Sequence, residues 1–500
     1  MKMAFIIGCA LLAAPSAGAK PTDWVDRNKS AILSEYVQLL AIPNVASDLP
    51  NIRLNAEHIT AMMAKRGLSP RLLEGDSASV PPAIYGEWRV PGAKRTFVIY
   101  AHYDGQPVTP EDWKSGAPFT PVLRSGRVDK DGQILPLPTS NEGIDPDWRI
   151  YARSASDDKL GVMAVLAAVD ALKAEGKTPS FNLKIFFEGE EEAGSPNLAA
   201  ILAKHRDTLA SDGWVIIDGP AHPSGAQQAV LGVRGDVNLD LTVHGAVRPL
   251  HSGHYGNWAP NPALMLSRLL GSMKDPSGRV TITGFYDDVE PLSARERQAL
   301  AAVPAADAQL RQELGLAWTE GSGRPLLDLL TEPSLNINGI RSAEVGERAR
   351  NVVPPTASAT LDLRLVKGND HVRQVDKVIR HIERQGYTVL EREPTMEERR
   401  SLPRIVTAKR GVGYNAERTS IDDPLVQGVI GAMKGNGNTV VLPSLGGSLP
   451  LYIFRETLGA PTVTVSLANH DNNQHGADEN LRLGSLWAAI PAVAAIMRMK

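Results

Sequence analysis

Between residues 183 and 197 the chain reads LKIFFEGEEEAGSPN, and four glutamates, Glu188, Glu190, Glu191 and Glu192, fall within five positions after an apolar run. Like charges this close repel, and the end of a buried strand is a costly place for carboxylates. Other acids and histidines stand in similar places. The run TFVIYA is followed by His102 and Asp104, two apart and so on one face of an extended chain. The run WVIID ends in Asp218, SASDD sets Asp157 and Asp158 side by side before a helical pattern, and NHDNNQHGADENLRL brings His470 and His475. A carboxylate two residues from a histidine can hold a metal-bound imidazole through its other nitrogen. Taken singly, each group has a plainer role: a hydrogen-bonded histidine, a helix cap, a solvated turn. Together they converge on one sheet edge, and two divalent cations would offset the repulsion among the acids.

The elements that must position these groups are short. TFVIYA, LKIFF and WVIID are continuous apolar runs, which fit strands buried on both faces, as in a parallel sheet. Between the first two, DKLGVMAVLAAVDALKAEG carries Leu160, Met163, Val165, Leu166, Val169 and Leu172 on one broad face and closes at Gly176. Ser195-Pro196 reads as an N-cap and first helical residue. Strand alternating with helix predicts an α/β layer whose ligands collect beyond the carboxyl ends of the strands.

From about Gly235 the texture changes. DVNLDLTVHG alternates, and NPALMLSRLL, SLNINGI, ATLDLRLV, DHVRQVDKVIRHIERQG and YTVLERE complete the order βαββαβ. That order predicts a ferredoxin-like α+β unit, interrupted by a charged helical stretch at 293–316. After about Arg400 the α/β texture returns. The expected organisation is one domain in two parts, 20–234 and 401–500, with a second domain, 235–400, inserted between them. Residues 105–148, rich in Pro, Gly and Asp, read as a long loop rimming the site.

The 500 residues, 43% hydrophobic and 22% charged, are ordinary for a globular chain and enough for two domains. With 53 basic and 56 acidic residues and no basic tract, nucleic acid is not an expected partner. MKMAFIIGCALLAAPSAGAK joins Lys2, an apolar run too short to span a bilayer, and the small residues Ala17-Gly18-Ala19. It reads as a signal peptide, 1–19, cut after Ala19, and predicts an exported, periplasmic or secreted, protein. Cys9 is the only cysteine; too few residues precede it for a lipoprotein signal, so lipid anchoring there is not expected. A mature chain without cysteine must build any metal site from His, Asp and Glu.

HYDGQPV, SASDDKLG, FFEGEEEAGS, HSGHYG, NVVPPTASATLDLRLV, GGSLP and QHGADE occur in this order from His102 to Asn480. In these motifs the chain resembles the M20 family of co-catalytic zinc metallopeptidases, and within it the dipeptidase branch, similar to carnosine dipeptidase and glutamate carboxypeptidase. The resemblance implies that His102 and Asp218 hold one ion, Glu192 and His475 the other, and Asp157 both. It further implies that Glu191 is the general base, that Asp104 orients His102, and that the peptide bond after Asp157 is cis. Glu188 and Glu190 are left to structural or solvated roles. Arg364, with Asn351, Gly447 and Ser448, would bind the substrate carboxylate. The inserted domain would form a homodimer in which His251 reaches the partner's site to stabilise the oxyanion.

An all-N/O site with a bridging carboxylate suits Zn²⁺, with Mn²⁺ or Co²⁺ as possible occupants. The expected activity is hydrolysis of dipeptides or short peptides with a free C-terminal carboxylate. Two other readings are an N-acyl-amino-acid deacylase on the same scaffold and a non-catalytic metal- or solute-binding envelope protein. Residues 102 to 157 are further apart than is usual in the family, Leu160 separates a lysine and glycine normally adjacent, and VLPSL before Gly446 lacks charge. These departures leave the metal ligands in place and bear on the substrate.

Overall fold

The computed structural model of the chain describes residues 21–447 and 449–500. Its largest sheet has eight strands, in the order Arg71–Leu73, Ala83–Trp88, Asn182–Glu188, Thr96–His102, Gly213–Ile217, Thr462–Ser466, Gln227–Val230 and Thr439–Leu442. The four central strands run parallel, and Ala83–Trp88 on one side and Gln227–Val230 on the other join them antiparallel. Gly213–Ile217 is buried at every position, as a continuous apolar run in a doubly covered sheet must be. The helix Lys159–Ala174 is buried on nearly all sides and packs against the helices Pro21–Leu40 and Leu483–Ile496. Asp158 is its N-cap, its side chain accepting the Gly161 N–H.

A second, five-stranded sheet has the order Ser334–Arg341, Thr356–Leu365, Gly235–His244, Ile405–Tyr414 and Thr388–Leu390. Val237, Leu239, Leu241 and Val243 alternate into a separate core beneath the helices Pro262–Gly271 and His371–Arg384. This is the ferredoxin-like unit, with one correction. YTVLERE supplies only a three-residue edge strand, Thr388–Leu390; the antiparallel partner of Gly235–His244 on the side away from Thr356–Leu365 is Ile405–Tyr414, beyond Arg400. A ten-residue strand satisfies far more of the backbone of Gly235–His244 than a three-residue one can.

Two further expectations change. Residues 105–148 are not one loop: Val122–Arg124 and Ile134–Leu135 join Arg149–Tyr151 and Asn480–Arg482 in a four-stranded antiparallel sheet. Ser195 does not cap a helix; it has φ 52°, and the helix begins at Leu198. In the charged stretch, the helix Ala294–Ala301 closes its N-terminus with a Ser293/Glu296 capping box and lies against the outer strand Thr439–Leu442. The leader proposed for residues 1–19 lies outside the described residues.

Candidate dinuclear metal centre

The carboxyl ends of the central strands deliver the acids and histidines to one place. His102 ends its strand, fully buried, with Nε2 3.0 Å from Asp157 Oδ1 and 3.9 Å from Asp218 Oδ2. His475 approaches from the other side, Nε2 lying 3.1 Å from Asp157 Oδ2 and 3.3 Å from Glu192 Oε2. Asp157 therefore turns one oxygen to each histidine. Ligand atoms of His102, Asp157 and Glu192 lie within 4.8 Å of one another. Glu191 Oε2 stands 3.9 Å from His102 Nε2, and the Asp157–Asp158 peptide bond is cis.

Charge crowding marks Glu191, Asp218, Asp157 and His475. Burial, reinforced by Asp218, Glu192 and Asp104, pushes the Glu191 carboxyl well above the usual range against the pull of His102. Burial, with Asp157 adding to it, pushes Asp218 up to about 7. Asp157 goes the other way: burial raises it, but hydrogen bonds from His102 and His475 hold it below the usual carboxylate range. His475 is raised to about 10 by Asp157 and Glu192. Four carboxylates, Asp157, Glu191, Glu192 and Asp218, thus converge with two imidazoles, all hard or borderline N and O donors with excess negative charge. That donor set fits a pair of divalent cations.

The supports explain the glutamates. Asp104, at zero exposure, faces His102 Nδ1 at 3.4 Å and accepts the backbone N–H of Glu191 at 3.1 Å and of Glu192 at 3.0 Å. The chain can turn so tightly only because Gly189 has no side chain: a Cβ there would lie 2.3 Å from the Tyr103 hydroxyl. Glu188 and Glu190 are structural rather than solvated. Glu190 accepts both N–H groups of Asn197, at 2.8 and 3.0 Å, where the sequence had suggested a Ser195 cap. Glu188 accepts the Tyr100 hydroxyl at 2.7 Å, and burial pushes its carboxyl up to about 8.

Three supporting roles escaped the sequence reading. Asp158 accepts the His102 N–H at 3.3 Å besides capping its helix. Lys159 is fully buried and donates to the carbonyls of Leu39 and Ile42 at 2.9 and 3.0 Å, tying the end of the first helix to the site. Glu479 receives the backbone of the Asp157 loop. Its place in QHGADE, four residues after His475, was its only signal in the sequence.

The proposed substrate groups stand on other elements. Arg364, in Thr356–Leu365, pairs with Asp362 at 3.1 Å and Asp236 at 3.5 Å. His251 and Asn351 are neighbours: Leu250–His251 pairs with Val352–Val353, and Asn351 accepts the Ser252 N–H at 2.9 Å. His251 is exposed, its ring 4.5 Å from that of His254. Gly447 is exposed in the turn after the Val233–Leu445 bridge, and Ser448 lies outside the described residues.

The sequence profile of Peptidase family M20/M25/M40 matches residues 98–499. The chain belongs to this family. It is a peptide-bond hydrolase with an M20 fold. The Cys-Gly metallodipeptidase DUG1 of Candida albicans is 25% identical over 484 residues, 92% of each chain. The Beta-Ala-His dipeptidase of Homo sapiens is 26% identical over 474 residues, 92% of this chain and 85% of that one. Among solved structures, the M20 family metallo-carboxypeptidase Sso-CP2 from Sulfolobus solfataricus is 28% identical with TM-score 0.74, covering 94% of this chain and 98% of that one. The di-peptidase Dug1p from Saccharomyces cerevisiae, 22% identical with TM-score 0.73 over 95% and 97%, shares the fold. The expectation of export is withdrawn, because the dipeptidases that match this M20 peptidase do not support it. A lysine, a short apolar run and three small residues are a local pattern that many N-termini reach by composition alone.

Proposed function

We propose that the protein is a dinuclear metallodipeptidase that hydrolyses dipeptides or short peptides with a free C-terminal carboxylate. The observation that carries this reading is the shared carboxylate: Asp157 faces His102 at 3.0 Å with one oxygen and His475 at 3.1 Å with the other, beside Glu191. His102 and Asp218 would hold one ion, Glu192 and His475 the other, and Asp157 both. A bound divalent pair, zinc in our reading with manganese or cobalt as substitutes, supplies Lewis acidity to water and to the scissile carbonyl.

The chain's own groups do the rest. Glu191, its proton affinity raised by burial, accepts a proton from the attacking water and returns it to the departing amine as the C–N bond breaks. Asp104 holds the His102 ring and the backbone of Glu191 and Glu192 in place. Arg364, with Asn351, Gly447 and Ser448, receives the substrate carboxylate, for which a guanidinium fork is well suited. We assign residues 20–234 and 415–500 to the catalytic domain and 235–414 to a lid domain that pairs in a homodimer, the strand Ile405–Tyr414 moving the expected boundary at 400 to the end of that strand. There His251 of each chain serves the other's site as an oxyanion donor. Relatives named for Cys-Gly and Beta-Ala-His, both dipeptides, support this substrate class.

Elemental analysis of active protein should find two divalent metals per chain, and chelation should abolish hydrolysis. A panel of Cys-Gly, β-Ala-His and N-acetyl-amino acids should show the dipeptides cleaved faster. Faster release of acyl groups would favour the deacylase reading, and one metal or none in active protein would overturn the dinuclear one.

A further inference from the structure

Glu479 lies four residues beyond His475, has no solvent exposure, and shares none of the ligand roles. Its side chain is nonetheless the most heavily engaged carboxylate near the site. Oε1 accepts the backbone N–H of Ser156 at 2.9 Å, that of Asp157 at 3.0 Å and the Ser156 hydroxyl at 2.8 Å. Oε2 accepts the Ser154 N–H at 2.9 Å and Arg153 Nη1 at 2.8 Å. Its backbone carbonyl also accepts the Ala152 N–H at 3.2 Å. Five side-chain contacts thus gather residues 153–157, the loop that ends in the shared carboxylate. Arg153 is itself buried, its guanidinium 5.4 Å from the Trp113 ring centre, so the far end of the contact is anchored.

The neighbours of Glu479 repeat the pattern. Asp478 accepts the N–H groups of Lys114 and Ser115 at 2.9 and 2.7 Å, and Asn480 accepts from Arg149 at 2.7 Å. Gln474, next to His475, donates to Asp157 Oδ2 at 3.0 Å. The segment 474–480 therefore brings one metal ligand, His475, and grips the loop that carries another, Asp157.

We propose that Glu479 is a positioning residue for the metal pair: by clamping the backbone of residues 153–157 it holds Asp157 between His102 and His475, and so sets the affinity for the second ion. This rests on the dinuclear reading above. Groups that orient ligands from behind typically contribute about 10- to 100-fold in metal affinity. Replacing one oxygen with an amide, in Glu479→Gln, sets an N–H₂ against backbone or guanidinium donors. The milder Ser156→Ala removes only the hydroxyl donor.

The test is calorimetric titration of the metal-free full-length protein with Co²⁺, with the visible spectrum of the bound ion and the melting of the metal-free protein measured alongside. Wild type should take up two Co²⁺ per chain. Glu479→Gln should bind the second about 10- to 100-fold more weakly and shift the Co²⁺ spectrum. Ser156→Ala should weaken it by roughly 2- to 5-fold with unchanged melting of the metal-free chain, a pattern that general destabilisation does not produce. If Glu479→Gln does not fold, Ser156→Ala decides by the same criterion. Wild-type affinity and spectrum in the folded variants would overturn the proposal, whereas a wild type that binds fewer than two ions would overturn the dinuclear reading instead.

Discussion

Asp104 accepts the backbone N–H of Glu191 at 3.1 Å with one oxygen and that of Glu192 at 3.0 Å with the other. The same carboxyl faces His102 Nδ1 at 3.4 Å. One buried side chain thus links His102, Glu191 and Glu192, the groups we propose as a ligand of one ion, the general base and a ligand of the other. Removing it acts on all three at once.

Asp104→Ala should lower metal affinity by about 10- to 100-fold, because the His102 ring loses its partner. It should also destabilise the fold by about 1–3 kcal/mol for each N–H left without an acceptor. Chelator competition and thermal melting measure the two effects. Asp104→Asn, which keeps one acceptor oxygen, should fall between Ala and wild type.

Glu191→Gln should keep both metals yet lose ~10²–10⁴-fold in turnover, the usual scale for a general base. Glu192→Gln should instead weaken metal binding, since Glu192 Oε2 faces His475 at 3.3 Å. Metal content and kcat measured on the two variants separate the roles. Near-normal turnover in Glu191→Gln would mean that base and ligand are exchanged within the pair.

Arg364→Ala should raise KM steeply for dipeptides with a free C-terminus and change little for C-terminally amidated analogues. The guanidinium lies near Asp362 and Asp236, at 3.1 and 3.5 Å, so its position is set before substrate arrives. Equal proportional losses on both substrate types would exclude Arg364 as the carboxylate reader.

Asp236 gives a pH test away from the metals. Burial, a hydrogen bond with Asp362 and that neighbour's charge raise its carboxyl to about 6 against the pull of Arg364. A folded-state value above the unfolded one, ~3.9, means that the contribution to stability is present below that value and lost as pH rises through 6. Asp236→Asn does not titrate. Its melting temperature relative to wild type should therefore climb between pH 4 and pH 6 and level off above; a flat difference would refute the shift.

Glu191→Gln and His251→Ala should each be nearly inactive alone if His251 serves the partner's site. Their heterodimer would hold one intact site and one doubly damaged site. A randomly reassorted equal mixture is half heterodimer, so activity should recover to about a quarter of wild type under two-fold pairing. No recovery, with heterodimers confirmed by mass, would place His251 in its own chain's site or in none.

Much of this protein is determined by its sequence alone. The buried central strands announce themselves because a strand covered on both faces must be apolar throughout, and that is a local property. The acids and histidines that end those strands stand out for the same reason: carboxylates beside an apolar run need a partner. What only the tertiary structure decided depends on contacts between residues far apart in the chain. Nothing local distinguishes YTVLERE from IVTAKRGVGY as the partner of Gly235–His244; the longer antiparallel ladder does. Glu188 and Glu190 read like Glu191 and Glu192 until Tyr100 and Asn197 are seen to occupy them. Glu479 meets its donors at sequence separations of 322 to 326, a distance over which composition and periodicity carry no signal. Hydrophobic burial follows a short repeat along the chain, whereas hydrogen bonds between loops follow the fold, and so the candidate ligands and Asp104 stood out in the sequence while the roles of Lys159 and Glu479 did not.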